Sequence, residues 1–327
     1  MLTKRQNLIE TIKGGNPDRF VKQFEYMGLI MGDPRPDERA MPGGAPVTSE
    51  WGVTTVWPDG TPGPFSMQDK EHLVVKDIEH WRDYVHEPKI DYPASAWEPF
   101  IAQAEQIDKS EVFPTVMVAP GLLEMSHHLC EIKNCMMYFI TNPDEMHELV
   151  KYITEWELEL AEAYCTHLHP DGVFHHDDWG SQISTFMSPA MFDEFFLDSY
   201  KQIYGYYIDH GAPMIVHHSD SYAATLVPEM IEMGIKVWQG VMTTNDVPAL
   251  IEKYGSDITF MGDIDSGVVD REDWNPELIE REVRRACTEC GKLYFVPCGS
   301  QGLAVSTFPG VYECISEKIG LMSTEMF

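Results

Sequence analysis

The sequence is poor in positive charge. Its 327 residues include 23 Lys and Arg against 53 Asp and Glu, so the formal net charge at pH 7 is −30. Proteins that bind nucleic acid or anionic membranes use clustered Lys and Arg to neutralise phosphates. The deficit excludes a general affinity for nucleic acid or for a membrane surface. It favours a small molecule or another protein as the partner.

Long apolar runs are also missing. The longest have the length of strands, well below the roughly 20 residues that cross a bilayer. The N-terminal stretch MLTKRQNLIETIKGG is typical of an amphipathic helix and lacks the apolar centre of a signal peptide. The seven cysteines are odd in number and spread over a long chain, which suits a reducing compartment better than a disulfide framework. We therefore expect a cytoplasmic protein.

The chain instead repeats one pattern, a short apolar run followed by an amphipathic helix. The run FVKQFEYM predicts the first strand, and later strands are predicted in VFPTVMVAP, GVFHHDD, APMIVHHSD, IKVWQGV, ITFMGDID and LYFVPC. Continuous apolar runs are typical of parallel strands buried on both faces. About seven such units without a linker predict one α/β domain over residues 1–327, a TIM (β/α)8 barrel whose eighth strand is not visible. An open doubly wound sheet is the alternative, but no Gly-rich phosphate loop follows the first strand.

Residues 28–75 interrupt this pattern. The stretch is rich in Pro, Gly and Asp, has no helical period and carries Trp51, Trp57 and Phe65. Structureless loops of this length in compact domains are usually functional lids or disordered segments. The aromatic residues favour a loop-rich but ordered cap on the barrel.

Polar residues collect where the predicted strands end. The residues at these ends are Glu25, His175 to Asp178, His217, His218, Asp220 and Cys298. Active sites of TIM barrels lie at the carboxyl ends of the strands. Each residue alone is more simply a polar group where a strand meets solvent, but several strand ends together indicate a shared site.

The stretch VHHSD contains two histidines that cannot both face the barrel interior. Side chains alternate along a strand, so His218 shares a side with Asp220, whereas His217 shares the other side with Ser219. Zinc accepts His, Asp and Cys ligands, and catalytic zinc sites typically hold three protein ligands and leave one position open. His218, Asp220 and Cys298 are therefore candidate zinc ligands. A buried, hydrogen-bonded histidine without a metal is the alternative.

Other histidine and cysteine pairs are expected to be structural. Cys287 and Cys290 form a CxxC motif, but they end a predicted helix on the side of the barrel opposite the active face. His127 and His128, in LLEMSHHL, are expected at a protein surface or a helix end.

Four segments carry a resemblance to a known family. TKRQNLIETIKGGNPDRF, DGVFHHDDWGSQISTFMSPAMFDEFF, GAPMIVHHSDS and the MGDID strand resemble the uroporphyrinogen decarboxylase superfamily, over nearly the whole chain. The resemblance implies a TIM barrel. The superfamily contains decarboxylases and cobalamin-dependent methyltransferases, including methylcobalamin:coenzyme M methyltransferases and the methyl-ether-cleaving components of bacterial O-demethylase systems.

The decarboxylase branch fits these residues poorly. Its substrate carries eight carboxylates, and the family supplies arginines in an RQAGR-like segment after the first strand. The corresponding stretch here is KQFEYMGLIMG, with Glu25 where cationic groups are wanted. Because a polyanion needs paired Arg or Lys, uroporphyrinogen decarboxylation is the second alternative.

The coenzyme M branch resembles this chain more closely at the candidate ligands. The resemblance implies zinc held by a His-x-Cys on the fourth strand and by a late Cys, which correspond to His218 and Cys298, but Asp220 replaces the first Cys. A carboxylate in place of a thiolate leaves the metal more electrophilic, which suits an oxygen leaving group better than a soft thiol. Trp51 and the segments DDWGSQ and STFPGVYE resemble the ether-demethylating group. A methylcobalamin:thiol methyltransferase is the first alternative.

The resemblance therefore implies a corrinoid-dependent methyltransferase that moves a methyl group from a small O-methyl donor, such as a methoxylated aromatic, to the Co(I) of a corrinoid. No further module is visible in the chain, so the cobalamin is expected on a separate corrinoid protein. His218, Asp220 and Cys298 are expected to hold Zn²⁺, with His218 catalytic and Glu25 as a further ligand or general acid. The residues expected to bind the substrate are Tyr26, Trp51, His176, Asp177, Asp178 and Trp179.

Overall fold

The computed structural model describes residues 1–36, 38–61 and 63–327, and Asp37 and Pro62, both within the predicted cap, lie outside the described residues. The described strands are β1 (Met27–Ile30), β2 (Val47–Thr48), β3 (Thr54–Val56), β4 (Phe65–Ser66), β5 (Phe113–Val118), β6 (Gly172–His176), β7 (Met214–His218), β8 (Val237–Val241), β9 (Thr259–Ile264) and β10 (Phe295–Gly299).

The described α-helices are α1 (Lys4–Ile12), α2 (Ala94–Glu105), α3 (Leu122–Cys130), α4 (Ile132–Thr141), α5 (Pro143–His167), α6 (Pro189–Phe192), α7 (Asp198–Asp209), α8 (Val227–Glu232), α9 (Val247–Tyr254), α10 (Ser266–Val269), α11 (Pro276–Cys290) and α12 (Val311–Met326). Local sequence sets several of their starts. Thr3 and Gln6 form a capping box at α1, and Asn275 accepts a hydrogen bond from the backbone N–H of Leu278 before Pro276 opens α11.

Seven strands form one parallel sheet in the order β1-β5-β6-β7-β8-β9-β10, with the helices outside it. This curled sheet confirms the α/β fold of the TIM-barrel type. Alternation along the strands sorts the apolar side chains into two cores. The inner core includes Phe174, Val216, Val237, Met261 and Val296. The core between sheet and helices includes Val173, Ile215, Trp238, Phe260 and Phe295.

The first strand lies later in the chain than the sequence predicts. Residues 23–26 form a turn, and β1 runs from Met27 to Ile30, inside the stretch assigned to the cap. Val21, Phe24 and Tyr26 still belong to the inner core of the barrel, which explains the strand-like apolar pattern before β1. Glu25 therefore precedes β1 and does not end it, so the prediction of Glu25 at a strand end is wrong.

The side chain of Gln23 contacts the end of β10, the last strand of the described sheet. No backbone pairing joins β10 to β1 in the described sheet. The Gln23 Oε1 atom lies 3.5 Å from the backbone N–H of Gly299, while its Nε2 donates to the Tyr312 carbonyl at 3.1 Å and to Ser316 Oγ at 2.7 Å. Gln23 thus ties the end of β10 to α12.

The segment after β1 contains a small antiparallel sheet. Strands β2, β3 and β4 pair in that order. Trp51 is buried and packs edge-on against Trp156 of α5 with ring centroids 5.1 Å apart. Gln68 donates to the backbone carbonyl of His127 at 3.3 Å and accepts from the backbone N–H of Ile132 at 3.1 Å. These contacts hold the segment against α3, α4 and α5.

The structure also bears on two further expectations, about membrane-spanning helices and about the cysteines. No helix among the described residues is long and apolar enough to span a membrane. All seven cysteines are free thiols, and Cys290 of the CxxC motif donates to the Asp263 carboxylate at 3.4 Å. Burial raises the pKa of both Cys287 and Cys290, to about 12 for Cys287. These protonated thiols fit a structural role for the motif.

Candidate active site

Strands β6 and β7 end side by side with a histidine each. His176 and His218 are register partners, and their rings stack with centroids 4.2 Å apart. Asp178 follows β6, and its Oδ1 lies 3.8 Å from His218 Nε2. His176, Asp178 and His218 each offer a ligand atom, and these atoms lie within 4.8 Å of one another. We call these three residues the mouth group, because they lie at the carboxyl ends of the strands.

The ring of His218 is held in one orientation by Gln239 of β8. The Gln239 amide donates from Nε2 to the carbonyl of Gln301 at 3.1 Å, which turns its Oε1 toward His218 Nδ1 at 2.5 Å. His218 Nδ1 is therefore the donor, and Nε2 is free to bind a metal or substrate. Burial and the neighbouring His176 lower the pKa of His218 to about 4, so its ring is neutral.

The ring of His176 is held by a carboxylate from α3. Its Nδ1 lies 2.8 Å from Glu124 Oε2, which leaves Nε2 directed elsewhere. Burial by itself lowers the pKa of His176, but Glu124, Asp178 and Asp220 outweigh it and raise the pKa to about 10. A histidine whose second nitrogen is bonded to a carboxylate is the arrangement found around protein metal ions.

Two further carboxyl groups adjoin the histidines. Asp178 Oδ1 accepts a hydrogen bond from the backbone N–H of Asp220 at 2.8 Å. Burial and the proximity of Asp178 raise the pKa of Asp220 to about 8. The Asp220 carboxyl therefore holds a proton at neutral pH, and a cation bound nearby would favour its ionised form.

The mouth group fits a zinc ion by its chemistry. It offers two imidazoles and one carboxylate, a donor set found in catalytic zinc sites that keep an open position. Ligand atoms of a tetrahedral zinc ion lie roughly 3.3 Å apart, close to the 3.8 Å between His218 Nε2 and Asp178 Oδ1. The side chains of His176 and Asp178 are each 26% exposed, whereas that of His218 is 1% exposed. The group is thus anchored on one side and open on the other.

Glycine lets the loop after β10 approach this group. A Cβ atom on Gly302 would lie 3.1 Å from His176 Cδ2 and 3.2 Å from His218 Cε1. These distances are tighter than ordinary carbon contacts. The loop therefore covers the two rings closely only because residue 302 has no side chain.

Gln239→Leu tests the orientation of His218. We expect metal affinity to fall about 10- to 100-fold, because the ring loses the acceptor that fixes its tautomer. Zinc titration with a competing chelator measures the change. Gln202→Leu is the matched control, since Gln202 is exposed on α7. Equal affinities in the two variants would remove Gln239 from the site.

Asp177, Trp179 and His217 lie on the opposite face of the sheet. Asp177 accepts from the backbone N–H groups of Leu123 at 3.0 Å and Glu124 at 2.7 Å, in the first turn of α3, and from Trp179 Nε1 at 3.0 Å. Trp179 stacks on His217 at 3.9 Å. Asp177 therefore caps a helix, and Trp179 packs beneath the helices. Both were expected to bind the substrate, but neither faces the mouth group.

Cys298 is not brought into the site with His218. Within the described residues, neither group that could hold a metal contains Cys298 or Asp220. The Cys298 sulfur lies 3.7 Å from Gln23 Oε1, and the Gln239 side chain contacts both it and His218. Cys298 belongs to the inner core, and Gln239 of β8 is the residue through which it is linked to His218.

The remaining predicted residues lie outside the mouth group. The carboxylate of Glu25 accepts from the backbone N–H of Lys22 at 3.0 Å. The Tyr26 hydroxyl contacts Met261 Sδ at 3.2 Å within the inner core. Trp51 is 5% exposed between the small sheet and α5. Of the predicted site residues, the structure thus brings together His176, Asp178, His218 and the adjoining Asp220. Glu25, Tyr26 and Trp51 lie elsewhere.

A second cluster was missed from the sequence. Glu124, His127 and His128 of α3 offer ligand atoms within 4.8 Å of one another. His127 is 9% exposed, and burial lowers the pKa of His127 and takes that of His128 to about 3. The two histidines lie in the last turn of α3, as one of the two expected positions requires, but His127 is buried and not at the surface. The i, i+3, i+4 spacing directly after the β5 strand was the available signal.

A buried polar layer supports the site from the helix side. The His175 Nε2 and Glu157 Oε2 atoms lie 2.9 Å apart, with both side chains at most 1% exposed. His217 Nδ1 pairs with the Tyr204 hydroxyl at 2.8 Å, and His217 Nε2 with the Asp177 carbonyl at 3.2 Å. These bonds fix the backs of β6 and β7, whose front faces carry His176 and His218.

Comparison with known proteins identifies the family. Residues 71–305 match the uroporphyrinogen decarboxylase (URO-D) family, and the chain belongs to this family. A solved structure described as a methyltransferase from Methanosarcina mazei matches with a TM-score of 0.64 and 15% identity, over 98% of this chain and 99% of that chain. At this identity the likeness shows the fold alone. No curated protein matched the chain. The superfamily predicted from the sequence is confirmed.

Proposed function

We propose that the protein is a corrinoid-dependent methyltransferase that takes a methyl group from a small O-methyl donor, such as a methoxylated aromatic, and passes it to a corrinoid on a separate protein. The mouth group carries this proposal, because it gathers two oriented imidazoles and a carboxylate at the carboxyl ends of β6 and β7. The methyltransferase description of the structural neighbour agrees with it.

In this proposal His176, Asp178 and His218 hold a zinc ion, in place of the ligand set predicted from the sequence. When bound, zinc supplies a Lewis acid for the ether oxygen of the donor. Gln239 and Glu124 keep the two rings turned with Nε2 toward the site, and a bound zinc ion would displace the proton that His176 otherwise holds. All these donors are nitrogen or oxygen atoms, which suits a hard oxygen leaving group better than a thiol.

The reaction needs stabilisation of the departing oxygen. The carbon–oxygen bond of the donor breaks, the electron pair stays on the oxygen, and the methyl group passes to the corrinoid, which supplies the nucleophile. The exposed sides of His176 and Asp178 face the open side of the site, where the donor oxygen would bind. The loop at Gly302 lies against the rings of His176 and His218 and limits the access of water to them.

Charge argues against decarboxylation of a porphyrinogen. The groups that adjoin the two histidines are the carboxyl groups of Glu124, Asp178 and Asp220. A substrate with eight carboxylates requires paired Arg or Lys, and the described hydrogen bonds and ion pairs of the two histidines include neither.

A three-way assay tests the function. The purified protein is mixed with a methoxylated aromatic and a Co(I) corrinoid protein, with methylcobalamin and a thiol, or with uroporphyrinogen. We expect loss of the Co(I) spectrum and release of the phenol in the first mixture alone, and loss of this activity after zinc is chelated and its return when zinc is restored.

Other outcomes of the assay have definite meanings. Methylation of the thiol would assign the coenzyme M-type activity, and release of CO₂ from uroporphyrinogen would assign the decarboxylase. Activity that survives complete removal of metal would overturn the zinc assignment and leave His176 as a proton donor to the oxygen.

A further inference from the structure

We infer that Glu124, His127 and His128 form a second divalent-cation site beside the mouth group. Their ligand atoms all lie within 4.8 Å of one another on the helix that follows β5, with Glu124 in its first turn and the two histidines in its last. Two imidazoles and a carboxylate are a donor set for zinc and similar borderline cations. The inference concerns metal binding by this chain and does not depend on the methyl-transfer reaction.

An unsatisfied buried nitrogen supports the site independently of the clustering. His127 is nine-tenths buried, and its Nδ1 has no hydrogen-bond partner among the described residues. A buried polar atom without a partner costs about 1 to 3 kcal/mol, so such atoms need a physical explanation. A bound cation would accept the lone pair of this imidazole nitrogen. The described residues provide no other partner for it.

The helix presents the three side chains together and holds them still. Residues at i, i+3 and i+4 share one face of a helix, so the α3 backbone brings Glu124 next to both histidines. The His127 and His128 rings pack edge-on with centroids 4.8 Å apart. Gln68, which follows β4, fixes the helix at the His127 carbonyl. A site on a rigid helix needs little rearrangement to bind a cation.

Glu124 belongs to both groups of residues. Its Oε2 bonds to His176 Nδ1 at 2.8 Å, while a carboxylate oxygen also lies within 4.8 Å of a ring nitrogen of both His127 and His128. A cation on the α3 group would therefore act through Glu124 on the ring of His176. Metal bound at one site is therefore expected to change the metal affinity of the other, and Glu124→Gln should lower the affinity of both.

Metal counting on the full-length protein tests this inference. The protein is stripped with a chelator and titrated with Co²⁺, and bound cobalt is measured by elemental analysis and by its visible absorption. We expect two equivalents in the unaltered protein, one in His128→Ala, one in His218→Ala, and none in the double variant. The exposed His147→Ala on α5 is the matched control and should keep two equivalents.

The outcomes separate this inference from the proposed function. One equivalent in the unaltered protein that His128→Ala keeps, or two equivalents in His128→Ala, would overturn the second site whether or not methyl transfer is observed. If His128→Ala does not fold, as judged by circular dichroism, His128→Gln keeps the size of the side chain and is counted instead. Two equivalents in a protein without methyl transfer would leave the second site intact and remove the proposed function alone.

Discussion

His218→Ala is expected to lose zinc from the mouth group and to lower the rate of methyl transfer by at least about 1,000-fold. The reason is that a Lewis acid on the leaving oxygen contributes several kcal/mol to the transition state, and each 1.4 kcal/mol is a factor of ten in rate. His218 is the buried anchor of the group, with Nε2 directed toward Asp178. Elemental analysis and the corrinoid spectrum measure the two effects.

His217→Ala is the matched control, because it removes the neighbouring histidine from the other face of the same strand. It loses the bond to Tyr204 and the stacking on Trp179. We expect a loss of stability of about 2 to 4 kcal/mol with zinc still bound. Should His217→Ala lose the metal while His218→Ala keeps it, the assignment of the inward histidine would be reversed.

Glu157→Ala is expected to destabilise the fold by about 3 kcal/mol. The change leaves His175 Nε2 buried between the sheet and α5 without its partner at 2.9 Å. Removing one member of a buried polar pair has a large effect because the other member keeps its full desolvation penalty. Urea denaturation monitored by tryptophan fluorescence measures the free energy of unfolding.

Glu159→Ala is the control for this change, since Glu159 is exposed on the same helix. Its effect on the free energy of unfolding should stay within about 0.5 kcal/mol, as is usual for exposed positions. The double variant Glu157→Ala, His175→Ala should recover part of the loss, because no buried partner is then left behind. Equal destabilisation by Glu157→Ala and Glu159→Ala would show that the buried pair does not stabilise the fold.

The sequence predicts the barrel well because buried parallel strands have an unmistakable pattern. The runs that became β5, β6, β7, β8, β9 and β10 are apolar, short and followed by helices. The first strand was misplaced because Val21, which precedes the turn at residues 23–26, and Phe24 and Tyr26 within that turn belong to the inner core. A turn that fills a barrel gives the same apolar signal as a strand, and periodicity cannot separate the two.

The site was predictable only in part. Alternation along β7 correctly separates His218 from His217, and the same rule applied after β6 would have separated Asp178 from Asp177. Which strands are neighbours is a property of the sheet order, so the distance of Cys298 from His218 was not visible. Glu124 lies on a helix, and its bond to His176 depends on how that helix packs on the barrel.

The most direct test of the mouth group is the X-ray absorption spectrum of the purified, zinc-loaded protein. Ligation by His176, Asp178 and His218 predicts nitrogen and oxygen atoms at about 2.0 to 2.2 Å from zinc and no sulfur. A sulfur atom at about 2.3 Å would show a cysteine ligand and return Cys298 to the site, contradicting the assignment made here. Active protein that holds no zinc would contradict it as well.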